Sequence, residues 1–112
     1  MVSSHTASTP YESSEPARSE IDALQGPALV EFGSAGCGWC RAAEPLVREA
    51  LAAHPRVRHI RIEDGSGRPL GRSFGVKLWP TLVFMNGGQE LARLVRPHDS
   101  EAVARALSTI DA

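Results

Sequence analysis

The sequence predicts a single α/β domain, a central mixed sheet with helices on both faces. Three observations carry that reading. The chain has 112 residues and a formal net charge of −1, enough for one modest core and not for two. A short apolar run, Pro27-Ala28-Leu29-Val30-Glu31-Phe32-Gly33, precedes an amphipathic helix and then an alternating strand. That order builds parallel pairs through a right-handed crossover. Asn86-Gly87-Gly88, between two apolar runs, is a hairpin signal, so the later strands pair antiparallel.

Residues 1–15 are rich in Ser, Thr, Glu and Pro and are expected to form a disordered tail, with the domain proper over 16–112. Tyr11 is the one large anchor in that stretch, and no strand is assigned to it. A helix is expected over Glu15 to Gln25, with Pro16 in its first turn, Gly26 past its end, and Ile21 and Leu24 as buried contacts. The run 27–33 suits a strand covered on both faces. Cys37 to Ala53 reads as a helix whose apolar face carries Ala43, Leu46, Val47, Ala50 and Leu51. Val57 to Glu63 alternates Ile60 and Ile62 with His59, Arg61 and Glu63, the pattern of a strand with one wet face and a charge-protected edge. A Gly-rich stretch leads to a helical turn near Phe74. Thr81 to Met85 and Leu91 to Val95 are the hairpin strands. Asp99 or Ser100 caps a last helix bearing Val103, Ala106, Leu107 and Ile110.

Several function classes find no support. Arginines are scattered rather than clustered, so nothing points to nucleic acid. No apolar run approaches the ~20 residues of a membrane helix. The N-terminus lacks the basic and apolar regions of a secretory signal, which favours a cytoplasmic location. Nothing demands more than a monomer.

The chemistry concentrates in GSAGCGWCRAAEPL, residues 33–46, which holds both cysteines. A Cys-x-x-Cys pair in a reducing compartment is catalytic or metal-binding more often than structural. The thiolate is the nucleophile, and unpaired N–H groups at a helix start favour the anion at Cys37. Cys40 follows one turn later on the same face, placed to resolve a mixed disulfide. Packing residues, half of a zinc site with His54 or His59, and a cluster shared between chains are the other uses of such a pair.

The segment resembles the thioredoxin superfamily over roughly residues 25–110. The matching parts are the strand Leu29-Val30-Glu31-Phe32, Cys37-Gly38-Trp39-Cys40 opening a helix, and Pro45 five residues on. Val76-Lys77-Leu78-Trp79-Pro80-Thr81-Leu82 before a strand, then Asn86-Gly87, complete the match. The resemblance implies a three-layer α/β/α thioredoxin-like fold and a thiol–disulfide oxidoreductase that reduces protein disulfides. It implies that Cys37 attacks, that Cys40 resolves, and that Glu31, in the position of the family's buried acid, helps deprotonate Cys40. It implies a cis bond before Pro80, and a substrate groove built from Gly36, Gly38, Trp39, Val76, Trp79 and Pro80. The implied partners are disulfide-containing proteins and a flavoprotein reductase as electron donor; no tightly bound cofactor or metal is required. This chain departs from the family pattern in four places. Trp39 stands for the usual proline and Gly36 for the usual tryptophan. Glu31 replaces the usual aspartate, and Val95 or Arg96 replaces a glycine beside the groove. Because the residues between the cysteines tune the potential, an oxidant or isomerase is an alternative. A redox-switched, non-catalytic interaction module is another.

Overall fold

A computed structural model describes residues 9–12 and 14–111. The elements run β1 (Tyr11–Glu12), α1 (Arg18–Asp22), β2 (Pro27–Gly33), α2 (Gly38–Leu51), β3 (Arg58–Glu63), α3 (Pro69–Ser73), β4 (Thr81–Asn86), β5 (Gln89–Val95) and α4 (Ser100–Ile110). The five strands lie in the order β1-β3-β2-β4-β5. β1 and β2 run parallel to β3, while β2/β4 and β4/β5 are antiparallel. The sheet is mixed, as the sequence predicts.

β2 is the central strand because it is apolar on both faces, and its alternation divides the core. Leu29 joins Val47, Leu82, Phe84, Val103 and Leu107 beneath α2 and α4. Val30 and Phe32 join Ile21, Ile60, Ile62, Leu70 and Phe74 beneath α1 and α3. These two cores make three layers. The hairpin between β4 and β5 turns on Gly87 (φ 60°) and Gly88 (φ 81°), with Asn86 opposite Gln89. Two consecutive positive φ angles are the geometry of a two-residue type I′ turn. Asp99 caps α4, its Oδ1 accepting from the Ala102 N–H at 2.8 Å. Among the described residues, no helix is long and apolar enough to cross a membrane.

Three expectations need correction. Tyr11 and Glu12 fall inside the stretch assigned to a tail, yet they form the edge strand β1, registered Tyr11↔Arg61 and Glu12↔Ile62. The tyrosine ring lies under the Arg61 guanidinium, 4.0 Å from ring centroid to Cζ, and this contact outweighs the polar composition around it. Residues 1–8 and 13 of that stretch lie outside the described residues. Second, α1 is shorter than Glu15 to Gln25. Pro16 disfavours helical geometry at Glu15, whose carboxylate instead accepts from the Leu70 N–H at 3.0 Å. Ala17 is the extended N-cap, and Glu20 Oε1 accepts its N–H at 2.7 Å. Third, β3 is not an edge strand with a wet face. It lies between β1 and β2, and the face bearing His59 and Arg61 turns toward α2.

Candidate active site

Both cysteines are free thiols. The turn Ser34-Ala35-Gly36 places Cys37 at the N-cap of α2, its N–H bonded to the Ser34 carbonyl at 3.2 Å. Cys37 is extended (φ −86°, ψ 120°), so its Sγ folds back and accepts the Cys40 N–H at 3.2 Å. The sulfur therefore takes one of the helix's orphan donors and sits where the helix dipole favours an anion. Cys37 is half-buried, while Cys40 is only 1 % exposed. Gly36 and Gly38 are exposed, and a side chain at either would meet open space. Burial pushes the Cys40 thiol up to about 11, and its hydrogen bond with Cys37 adds to the rise. One thiol is reachable, and the other is a poor acid held beneath it.

Gly33 makes room for that buried thiol. A Cβ built at Gly33 would stand 2.7 Å from Cys40 Sγ and 3.0 Å from the Tyr11 hydroxyl. Gly33→Ala should therefore cost about 1–3 kcal/mol, read as a lower urea midpoint, because both atoms must move. An unchanged midpoint would mean that the gap is slack.

The loop before β4 carries a cis Trp79–Pro80 bond, as the resemblance implies. Trp79 is half-buried and donates through Nε1 to Asp64 Oδ2 at 2.9 Å; it shares a cleft with Val76. Val76 also packs against the core beneath α1 and α3. Thr81 Oγ1 donates to the Leu78 carbonyl at 2.6 Å, bracing the loop. Arg96, which with Val95 stands where the family pattern has a glycine beside the groove, holds this region together. Its N–H donates to the Pro80 carbonyl at 3.0 Å and its Nε to the Trp79 carbonyl at 2.8 Å. Its guanidinium lies 4.6 Å from the Trp39 ring centroid. Arg96 thus joins the proline loop to the residue between the cysteines, and does so from a left-handed backbone (φ 51°). Trp39 is 54 % and Leu78 50 % exposed, giving the surface here an apolar character.

Beneath α2, a row of polar side chains crosses the sheet. Glu31 pairs in register with Arg61, and Arg61 with Tyr11. Glu31 is 1 % exposed, and its Oε1 accepts from His59 Nε2 at 2.8 Å. Arg61 Nε lies 3.5 Å from the same oxygen. Arg61 also donates to the Thr9 carbonyl (3.0 Å), to Glu44 Oε2 (3.3 Å) and to the Tyr11 hydroxyl (2.9 Å). These bonds supply the compensation a buried charge requires. Glu31 Oε2 and Arg61 Nε have no hydrogen-bond partner, so the Arg61 Nε–Glu31 contact is an ion pair only. A cavity of about 250 Å³ opens beside Cys40, with Tyr11, Arg41, Glu44 and Arg61 among its walls. Sequence reasoning singles out Glu31, names His59 only as a zinc candidate and Arg96 only as a position beside the groove, and misses the roles of Tyr11, Gly33 and Arg61. The signal available was the alternation of β3, which places His59 and Arg61 on one face. His54 stays apart, bonded through Nδ1 to Asp111 at 2.7 Å. Among the described residues, no group of three or more His, Cys, Asp or Glu could hold a metal ion.

A family model described as Thioredoxin matches residues 10–109. The solved structure of reduced thioredoxin 2 from Pseudomonas aeruginosa PAO1 is 51% identical. That match covers 91% of this chain and 94% of that one, with a TM-score of 0.82. A thioredoxin of Chlamydia muridarum is 36% identical over 85 residues, 74% of this chain and 81% of the relative. A bifunctional thioredoxin reductase/thioredoxin of Mycobacterium leprae is 28% identical over 85 residues, 75% of this chain but only 19% of that longer protein. With a free dithiol at the start of α2 and a match running from β1 to α4, the chain belongs to the thioredoxin family of protein thiol–disulfide oxidoreductases.

Proposed function

We propose that the protein reduces disulfide bonds in other proteins, with Cys37 as attacking and Cys40 as resolving thiol. The unequal burial of the two sulfurs carries this reading. Cys37 is reachable and caps a helix, whereas Cys40 is sealed beneath it with its thiol pushed up to about 11. The Cys37 thiolate attacks one sulfur of the target disulfide, and the other leaves as a thiolate. Cys40 then attacks Cys37 Sγ. The Cys37–Cys40 bond forms, the mixed disulfide breaks, and the second substrate sulfur departs with the electron pair.

Gly36, Gly38, Trp39, Val76, Trp79 and Pro80 line the groove in this reading. The exposed indole of Trp39 and the two bare glycines let an extended segment approach the sulfurs, pairing by strand addition at the proline loop. Glu31 takes the Cys40 proton in the resolving step. Its buried carboxylate on the face beneath α2 supports this role. The electrons come from a flavoprotein reductase, a pairing supported by the fusion of the two activities in the Mycobacterium leprae relative. The cytoplasm, where thiols stay reduced, is the matching location.

The reduction potential tests the direction. Equilibration with glutathione should place the pair near thioredoxin's ~−270 mV, and a value near the ~−120 mV of strong dithiol oxidants would overturn the reductase assignment. The pH dependence tests Glu31. In Glu31→Gln the Cys40 proton must leave unaided, so resolution at neutral pH slows. Because burial raises the Cys40 thiol, the variant's rate should climb about tenfold per pH unit until that thiol ionises and converge on the parent's at high pH. Parallel profiles for the two proteins would remove Glu31 from the mechanism.

A further inference from the structure

Tyr11 is the only tyrosine in the chain, and the reaction as described leaves it without a role. It sits on the edge strand β1, yet its hydroxyl reaches the centre of the site. The hydroxyl accepts from Arg61 Nη2 at 2.9 Å and lies 3.3 Å from the Ser34 carbonyl. It also stands beside the Cys40 sulfur, the two sharing the walls of one cavity. Hydroxyl and sulfur both flank the gap left by Gly33, 3.0 Å and 2.7 Å from the point a Cβ would occupy, so the O–H can turn toward the sulfur.

A phenol carries one proton to donate. In the dithiol state that proton has the Ser34 carbonyl as an acceptor, at a long 3.3 Å. When Cys40 ionises, the thiolate is the stronger acceptor, and the O–H gains a charge-assisted bond by turning to it. Arg61 donates to the phenol oxygen and so polarises the O–H, making it a better donor. The phenol does not act as a base, because burial lifts its pKa well above the ordinary value, with the Arg61 charge opposing.

We infer that Tyr11 holds the Cys40 thiolate during the resolving step, with Arg61 behind it as a positioning residue. This rests on Cys40 being the resolving thiol. The Cys40 thiolate attacks Cys37 Sγ, the bond from Cys37 to the substrate sulfur breaks, and the electron pair leaves on that sulfur. The proton that Glu31 takes from Cys40 ends on the departing substrate thiolate, so atoms and electrons balance. Tyr11 keeps its own proton throughout. The titratable and charged groups facing Cys40 are Cys37 at the N-cap of α2, Arg41 and Glu44 from α2, Tyr11 from β1 and Arg61 from β3, with Glu31 of β2 behind Arg61.

Tyr11→Phe tests the inference, since it leaves the ring beneath Arg61 and removes only the O–H. In single-turnover reduction of a labelled peptide disulfide, release of the second thiol should slow roughly ten- to hundredfold, the effect of losing one hydrogen bond to a charged group. Alkylation of Cys37 by iodoacetamide should stay within about twofold of the parent, as the attacking thiol is untouched. The Cys40 ¹³Cβ resonance should begin to titrate at higher pH. Because the chain has one tyrosine, biosynthetic 3-fluorotyrosine alters this position alone and supplies a stronger donor of nearly the same shape. It should move the Cys40 titration the other way, and it keeps the test open if Tyr11→Phe folds poorly. A release rate equal to the parent's, an equal slowing of Cys37 alkylation, or no shift with fluorotyrosine would overturn the assignment. Cys40→Ser separates the two claims. If it traps no mixed disulfide, the proposed resolving role itself fails; if it traps one while Tyr11→Phe releases at the parental rate, only the role of Tyr11 fails.

Discussion

Cys40→Ser should stop the protein halfway, as a covalent adduct with its substrate. Cys37 keeps its place at the N-cap of α2 and still attacks, but a serine hydroxyl cannot displace the substrate sulfur. Multiple turnover should fall by at least ~10³-fold, and Cys37→Ser should fall as far, since each removes a member of one chemical unit. The two variants differ in what accumulates. Incubated with a disulfide-bonded protein, Cys40→Ser should shift on a non-reducing gel to the mass of a one-to-one adduct that dithiothreitol releases. Cys37→Ser should give none, because Cys40 is only 1 % exposed. Adduct formation by Cys37→Ser alone would reverse the roles of the two thiols.

Phe84→Ala should produce the largest loss of stability. Phe84 is fully buried on β4 with Leu29, Leu82, Val47 and Leu107, where the sheet meets both α2 and α4. Truncating a core phenylalanine costs about 3–5 kcal/mol through lost transfer energy and the cavity left behind. A domain of this kind has only ~5–15 kcal/mol in total. Urea unfolding should show a much lower midpoint with little change in slope. Leu91→Ala on β5 is the matched control. Leu91 is 51 % exposed, so its loss should stay within about 0.5 kcal/mol. Comparable losses at both positions would mean that β5 is covered by something beyond this chain's own core.

Much of this was legible in local sequence. Strand β2 announces itself because a continuous apolar run has no wet face to offer. The Gly87-Gly88 turn and the Asp99 cap are short-range chemistry, and both form where the residue types require. The cysteine pair is equally local, since two residues of separation and a helix start fix which sulfur is outermost. What escaped depends on residues distant in sequence. The alternation in β3 shows that His59 and Arg61 share a face, but not that Tyr11, fifty residues earlier, and Glu31 cover and neutralise it. The family pattern sets Arg96 or Val95 beside the groove, but that the guanidinium covers the Trp39 ring shows only in the fold. Gly33 reads as the end of a strand, and its function is visible only as the space Cys40 occupies.

The cap on α2 couples folding to electron count. In the dithiol form the first turn of that helix is held by Cys37 Sγ, which accepts the Cys40 N–H. Oxidation joins that same sulfur to Cys40 and changes its charge and its capacity as an acceptor. Reduction and unfolding then form a closed cycle. Whatever the reduced cap adds to the stability of the folded dithiol over the folded disulfide must reappear as a more oxidising potential than the unfolded chain would have. Each 1.4 kcal/mol so gained is about 30 mV. A firmer grip on the helix in the reduced state therefore makes a weaker reductant, and a sulfur, a softer acceptor than the Asp99 carboxylate on α4, keeps that grip light.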